Sequence, residues 1–450
     1  MVKIMKDLTS GNIYKNFILF AIPMVLSGIL SQAHSTINTV IAGQYLGDAG
    51  LAAIGASSPL ITFISAVFWG AGNGFSVHFA NLFGAKRYSD IKREICNTYF
   101  WYSFTLLVIS VLSVLFCSSI FDLLQVDPVI RRDAEIYFSI YMAGFLPIVL
   151  SFNGVYIMNA FGSSTFPFLM SLLSTAVNIG GSIFTIVKLG MGIYGLAIAA
   201  VVSSSITTVC YILQLWKYFR VMGVEKEPVK FSPKQVWKSS RYWLPTTFQQ
   251  AVMYLATLFI SPMINAIGSA ASASYTVVLR IYNINASIYQ NSARTVSSYT
   301  AQCVGTGKTD QLGRGLRVGL LQGILFILPA LLCCVLFPKQ ICMLFFQNGY
   351  EGDALLFSVH FLQYFLPLIL VNLVANLFHA FYRGVAAMNP LFLATCLGSF
   401  VQLTSGLILT KLFGIYGAYG AWVLSWVADA LFGTLFYASQ KWKKALTQTF

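Results

Sequence analysis

Charge is scarce in this chain: 9% of its 450 residues are Asp, Glu, Lys or Arg, against about 25% in ordinary soluble domains. With 57% apolar residues, a soluble protein of this length would lack the polar surface to stay dissolved, so a large soluble α-protein is excluded. Acid is scarcer still, with 14 Asp and Glu against 28 Lys and Arg. The eight cysteines, at 96, 117, 210, 303, 333, 334, 342 and 396, include no C-x-x-C spacing. Most lie in apolar sequence and behave as small apolar residues rather than as bridges or ligands. No His/Cys/acid cluster has metal-ligand spacing. The start, MVKIMKDLTSGNIYKNF, has no short apolar core followed by a small-residue cleavage site. No cleaved signal peptide is therefore expected, and the first helix serves as the targeting signal.

What the chain does have is long apolar runs. Twelve of them, near 14–38, 51–82, 95–120, 134–160, 166–187, 193–216, 240–264, 270–301, 316–337, 354–381, 391–410 and 416–439, approach the ~20 residues of a spanning helix. The runs are continuous, whereas a membrane barrel alternates over short strands. The predicted fold class is an all-α polytopic membrane protein with twelve transmembrane helices. An even number of spans puts both ends on one side. That side carries 21 of the 28 cations: Lys3, Lys6 and Lys15; Lys86, Arg87, Lys92 and Arg93; Lys217, Arg220, Lys226, Lys230, Lys234, Lys238 and Arg241; Lys308, Arg314 and Arg317; Arg383; and Lys441, Lys443 and Lys444. The opposite side has Arg131, Arg132, Lys188, Lys339 and Lys411. The positive-inside rule then predicts cytoplasmic termini in a plasma or inner membrane. The net charge of +14 is a topology signal, and no nucleic-acid partner is needed to account for it.

The chain is also written twice. KLGMGIYGLAIAAVVS (188–203) aligns with KLFGIYGAYGAWVLS (411–425) after one deletion. ANLFGAKRYSDIKR (80–93) aligns with AQCVGTGKTDQLGR (301–314), matching Gly84 with Gly305 and Arg93 with Arg314. Pro23 and Pro245 follow similar aromatic-rich starts. Duplication of a six-helix unit predicts bundles at 1–218 and 240–450, joined by a cytoplasmic linker at 219–239. Six is even, so the two bundles share one orientation about a pseudo-two-fold along the membrane normal. The repeat also disposes of GTGKT (305–309) as a phosphate loop. Position 302 is Gln where the pattern needs Gly, a helix precedes it, and its counterpart GAKR is a basic turn.

Polar groups inside the runs are the candidate site residues. In helix 1, Ser27, Ser31, Ser35 and Asn38 recur at steps of four, four and three, with Gln32 and His34 alongside. Such a stripe either packs helices closely or lines a pathway. Arg280, Asn283, Ser287, Asn291 and Arg294 share one face of helix 8. That face is expected to meet water, because an arginine turned to lipid costs several kcal/mol; alternatively Arg294 snorkels to the interface. Thirteen of the acids, among them Asp48, Glu94, Asp127 and Glu351, fall in loops or at helix ends. Only Asp429, in helix 12, is expected near the midplane, either as a coupling acid or as the buried partner of an arginine. His34 and His78 lie in helices 1 and 2 and can titrate near neutral pH, but a lone membrane histidine reads more often as a hydrogen-bonded packing residue, and His360 and His379, nearer the two ends of helix 10, more so.

The layout of FAIPMVLSGILSQAHSTINTVIAGQYLGDAGLAAIGAS (20–57), FGAKRYSDIKR (83–93), LGMGIYGLAIA (189–199) and RGVAAMNP (383–390) resembles the multidrug and toxic compound extrusion (MATE) family, of the bacterial type, over nearly the whole chain. The resemblance implies a V-shaped pair of six-helix bundles that alternates between inward- and outward-open forms. It implies export of small amphipathic compounds driven by Na⁺ or H⁺ flowing inward. No cofactor is implied beyond Na⁺ as a candidate coupling ion, and no enzymatic reaction; a monomer is expected. It also exposes departures. Asn38 stands where many relatives keep an aspartate in helix 1, and Ser182, four residues after Asn178, where they keep one in helix 5. Asn372 stands where another branch keeps one in helix 10, and helix 7 has only Gln249 and Gln250. Amide and backbone oxygens can coordinate Na⁺ but cannot carry protons at physiological pH. Two arginines on helix 8 motivate a neutral, zwitterionic or anionic substrate. The alternatives are a flippase for a lipid-linked precursor, which a cationic cleft would suit, and a non-transporting membrane sensor.

Overall fold

The computed structural model describes residues 6–123, 126, 128–346 and 352–447. Of the residues named above, Lys3, Asp127 and Glu351 lie outside that set, as does the side chain of Asp48. The long apolar runs form α1 (Ile13–Gly47), α2 (Ala52–Gly84), α3 (Tyr88–Leu115), α4 (Pro128–Ala143 and Phe145–Ala160), α5 (Thr165–Lys188) and α6 (Ile193–Val221). They are followed by α7 (Ser240–Asn265), α8 (Ser269–Thr306), α9 (Thr309–Leu336), α10 (Asp353–Gly384), α11 (Met388–Phe413) and α12 (Ile415–Ala438). Among the described residues, nine of these helices, and the α4 pair as a tenth, are long and apolar enough to cross a bilayer. The other two, α7 and α8, are the helices that carry Gln249, Gln250 and the polar face of α8.

Where the structure departs from the apolar runs, proline and glycine explain it. The run at 134–160 is two helices bent by 55°. Pro147 has no N–H to offer Ala143 and its ring crowds that carbonyl, so the helix breaks at Gly144. A Cβ there would lie 2.2 Å from Val201 Cγ2. Pro367 similarly accompanies a π-turn at Phe361–Phe365 in α10.

The duplication is visible in the backbone. Gly192 (φ 57°, ψ −137°) and Gly414 (φ 58°, ψ −136°) adopt the same conformation before α6 and α12, a region that a side chain makes costly. Gly47 before α2 and Gly268 before α8 both have positive φ. α2, α4, α8 and α10 all end in a Schellman motif, in which the left-handed residue is Lys86, Gly162, Gly307 and Ala386 respectively. Lys86 therefore answers to Gly307, and Ala386 to Gly162. In each pair one member is glycine and the other carries the steric penalty of a Cβ, about 1–2 kcal/mol. Ala386→Gly is expected to stabilise the protein by about 1 kcal/mol, read as a higher midpoint in a thermal melt of detergent-purified protein. An unchanged or lower midpoint counts against this account of the turn.

Packing divides the chain into two compact units. The first contains Ile29–Trp243, and the second contains Asp7–Gly28 and Leu244–Phe450. The bundle boundaries read from sequence place residues 7–28 with the first bundle, whereas their contacts lie in the second unit. Leu8 N–H donates to Gln302 Oε1 at 2.9 Å, and Lys308 Nζ donates to Thr9 O and Oγ1 at 3.3 and 3.2 Å. Phe17 meets Tyr299 edge to face at 5.1 Å. Lys308, the lysine of GTGKT, is thus committed to the chain's own backbone.

In the first unit the linker is fastened to α3. The buried ammonium of Lys92 donates to the carbonyls of Val224, Glu225 and Glu227 at 2.9, 2.8 and 2.5 Å. Asn97 bonds Lys230 O and the Ser232 N–H. Nearby, the Arg220 guanidinium holds the Glu225 carboxyl below its usual range. In the same unit, Arg131 in the first turn of α4 does the same to Asp122, which precedes that helix.

Candidate functional site

Three hydroxyls of α1 are satisfied by their own helix. Ser27 donates to Pro23 O, Thr36 to Gln32 O and Thr39 to Ser35 O, the back-bonding usual for such residues in apolar helices. Ser31 and Ser35 are exposed, and Gln32 is half-buried on the same helix. The residue that reaches another helix is His34, with Asn38 behind it on α1. His34 Nε2 lies 2.8 Å from Asn178 Oδ1 on α5, and Asn38 Nδ2 lies 3.1 Å from the same nitrogen. If Nε2 donates to Asn178, it cannot also accept from Asn38, so the two contacts represent alternative tautomers of one ring.

Interhelical bonds of this kind average only about 0.6 kcal/mol in membranes, so they position groups more than they hold the fold. What they position is a pair of unpartnered oxygens. α1 and α5 run in the same direction, with His34 against Asn178 and, two turns on, Ile41 and Ala42 clustered with Ile186. That register puts Asn38 level with Ser182. Asn38 Oδ1 and Ser182 Oγ are both buried without a hydrogen-bond partner. Each such group costs about 1–3 kcal/mol.

In the second unit the sequence candidates separate into three sets. Asn372 is saturated: its Nδ2 donates to Tyr282 OH and Tyr289 OH, both at 2.9 Å, and its Oδ1 accepts from Asn376 Nδ2 at 2.9 Å. Gln249 is buried and donates to Thr395 Oγ1 of α11 at 2.9 Å, while Gln250 is half-buried. On α8, Arg280 is exposed, Asn283 half-buried and Ser287 buried. Arg294 Nη1 donates to Asn291 Oδ1 at 3.1 Å, and Asn291 Nδ2 donates to Ser287 O. Gly28 of α1 makes room for this group, since a Cβ there would sit 2.2 Å from Asn291 Nδ2.

Asp429, in the middle third of α12, has a histidine beside it, not the arginine expected of a buried ion pair. His379 Nε2 of α10 is 2.8 Å from Asp429 Oδ1, with both side chains mostly buried. Gly398 of α11 packs against the carboxylate's own Cβ at a notional 3.6 Å. This pair joins residues 50 positions apart. The sequence signal was the spacing of Asn372, Asn376 and His379, which puts all three on one face of α10. The other histidines have partners too. His78 lies 3.8 Å from Glu94 and stacks on Tyr242, and His360 Nδ1 is 2.6 Å from Tyr416 OH.

These features sit on a known architecture. The model of the MatE family matches the chain twice, over residues 23–184 and 245–408, and the two matches begin at Pro23 and Pro245. The probable multidrug resistance protein YoeA of Bacillus subtilis is 26% identical over 352 residues, 74% of each chain. An outward-facing multidrug resistance MATE family transporter of the MOP superfamily superposes with a TM-score of 0.88 at 20% identity, covering 100% of this chain and 99% of its own. A MOP superfamily transporter from Pyrococcus furiosus, described as having a binding pocket of reverse polarity that suggests a different function, gives a TM-score of 0.88 at 19% identity over 98% of both chains. The structural likenesses establish the twelve-helix, two-bundle fold. The family match over both halves establishes membership: the chain belongs to the MatE family of multidrug and toxic compound extrusion transporters.

Proposed function

We propose that this protein is a secondary-active exporter of small organic molecules in the plasma membrane, its termini cytoplasmic, working by alternating access of its two units and driven by inward cation flow. The observation that carries the reading is the family match over both halves, including the helices that hold every candidate residue except Asp429. The relatives' names point to multidrug efflux and lend nothing to a lipid-precursor flippase.

In the first unit, the level pair Asn38 Oδ1 and Ser182 Oγ supports a weak seat for Na⁺ as cargo. Neutral oxygens ligate it, with less attraction than the carboxylates they replace. In the second unit, Arg280 and Arg294 on one face of α8 support a neutral, zwitterionic or anionic substrate. The reversed pocket polarity described for the Pyrococcus neighbour is a precedent for such a departure within this fold. The test is dye movement in reconstituted vesicles, comparing cationic ethidium with anionic carboxyfluorescein. The anion is expected to move faster and to slow about tenfold in Arg280→Ala or Arg294→Ala, the loss of one charge-assisted contact. Strong export of ethidium, indifferent to both substitutions, sinks the charge assignment.

A further inference from the structure

We infer that the His379–Asp429 pair of the second unit is a proton-carrying site that couples proton uptake to transport. The inference rests on the exporter reading for its link to transport; the proton site itself stands on geometry. Asp429 as a carboxylate can only accept, so in that state His379 Nε2 must be the donor across the 2.8 Å contact. With that Nε2–H donated by a neutral imidazole, the pair as a whole carries one negative charge, in an interior where charge is expensive. One further proton on the carboxylate makes the pair neutral, so a single proton switches the site between two electrostatic states. On uptake the proton completes an O–H bond on Asp429, and on release the bare carboxylate returns.

Na⁺ fits this place poorly, because one carboxylate oxygen already faces an imidazole nitrogen and a hard cation wants several oxygens. The His78–Glu94 pair of the first unit is a weaker candidate. Its 3.8 Å separation is beyond hydrogen-bond range, and Glu94 lies in the second turn of α3. Along α10, by contrast, the pair continues a polar face. Asn372 and Asn376 precede it, and Tyr282 and Tyr289 bring two hydroxyls from α8. The elements packed around the pair carry, among their charged or titratable groups, Tyr282, Tyr289 and Arg294 on α8, Asp310 and Arg317 on α9, Asp353, Tyr382 and Arg383 on α10, Cys396 on α11 and Tyr437 on α12. Asp310 and Asp353 stand at the starts of their helices, and Asp429 is the acid in contact with His379, so Asp429 carries the change in proton number.

Two measurements test this on the full-length protein in phospholipid vesicles. The first is the infrared difference between wild type and Asp429→Asn on acidification. A protonated-carboxyl band gained on acidification in wild type and lost in the variant is expected; its absence from wild type overturns the proposal. The second follows ethidium and carboxyfluorescein with and without a pH gradient. Asp429→Asn should lose gradient-driven movement while retaining gradient-free dye exchange, which also shows that the variant folds. Gradient-driven movement that survives the substitution overturns the proposal, as does loss of exchange together with it, which marks the acid as structural. If the wild type moves neither dye, the exporter reading fails and the infrared band alone decides the proton site.

Discussion

Gly417→Ala is expected to destabilise the second unit by about 3 kcal/mol, the upper end of what overpacking ordinarily costs. A Cβ at this position would lie 2.0 Å from Leu409 O, 2.2 Å from Leu409 C and 2.7 Å from Thr410 N. All three are backbone atoms in the last turn of α11, and none can rotate away. The repeat supplies an internal control. Gly195, the matching glycine of the first IYG triplet, would place its Cβ 2.6 Å from Thr185 Oγ1, 2.8 Å from Thr185 Cβ and 3.2 Å from Thr185 C; the hydroxyl can turn to another rotamer, and the two fixed atoms stand farther off than the Leu409 backbone does. Gly195→Ala should therefore cost less than Gly417→Ala. Thermal melts of the two variants in detergent check the ordering. Equal midpoints would show that the α11–α12 turn relaxes as readily as the α5–α6 turn.

The second large effect is at Lys92. Its ammonium is the shared donor for three linker carbonyls, and bonds from a charged group are worth about 1.5–3 kcal/mol each in favourable cases. Lys92→Met keeps the stem and removes the donors. A loss of about 2–3 kcal/mol is expected, together with rapid proteolysis and amide exchange between residues 224 and 232. Lys92→Arg should not restore protection, because a planar guanidinium cannot direct hydrogens at three carbonyls as an ammonium does. A linker that stays resistant in Lys92→Met would mean that Asn97, through Lys230 O and the Ser232 N–H, suffices to hold it.

The architecture was legible in the sequence because hydrophobic length and repetition are local properties. Apolar runs, the Pro23–Pro245 and IYG landmarks and the lysine asymmetry can all be read without knowing what touches what. The break at Gly144 was also there to be found, four residues being the distance over which Pro147 acts on Ala143. Side-chain partnership is different. His34 met Asn178, and Asn38 came level with Ser182, because α1 and α5 pack in parallel at one register. Asp429 is unusual on sequence alone, yet its partner lies on another helix and the glycine packed beside it, Gly398, on a third. Neither is implied by periodicity along α12. Gln249 illustrates the converse, since a polar residue that reads as pathway-lining is spent on Thr395 inside the unit.

The assignment of Asp7–Gly28 to the second unit has a consequence for how the protein is made. This segment leaves the ribosome before its packing partners, since Gly28-facing Asn291, Gln302 and Lys308 come more than 250 residues later. At ~5–20 residues per second, the first half of α1 waits on the order of tens of seconds before its neighbours exist. During that interval the Gly28 surface and the Leu8 N–H lack the Asn291 and Gln302 that they meet in the folded chain. The second unit is thus the one that completes α1, and a translation stop before α8 would leave Asp7–Gly28 unassembled.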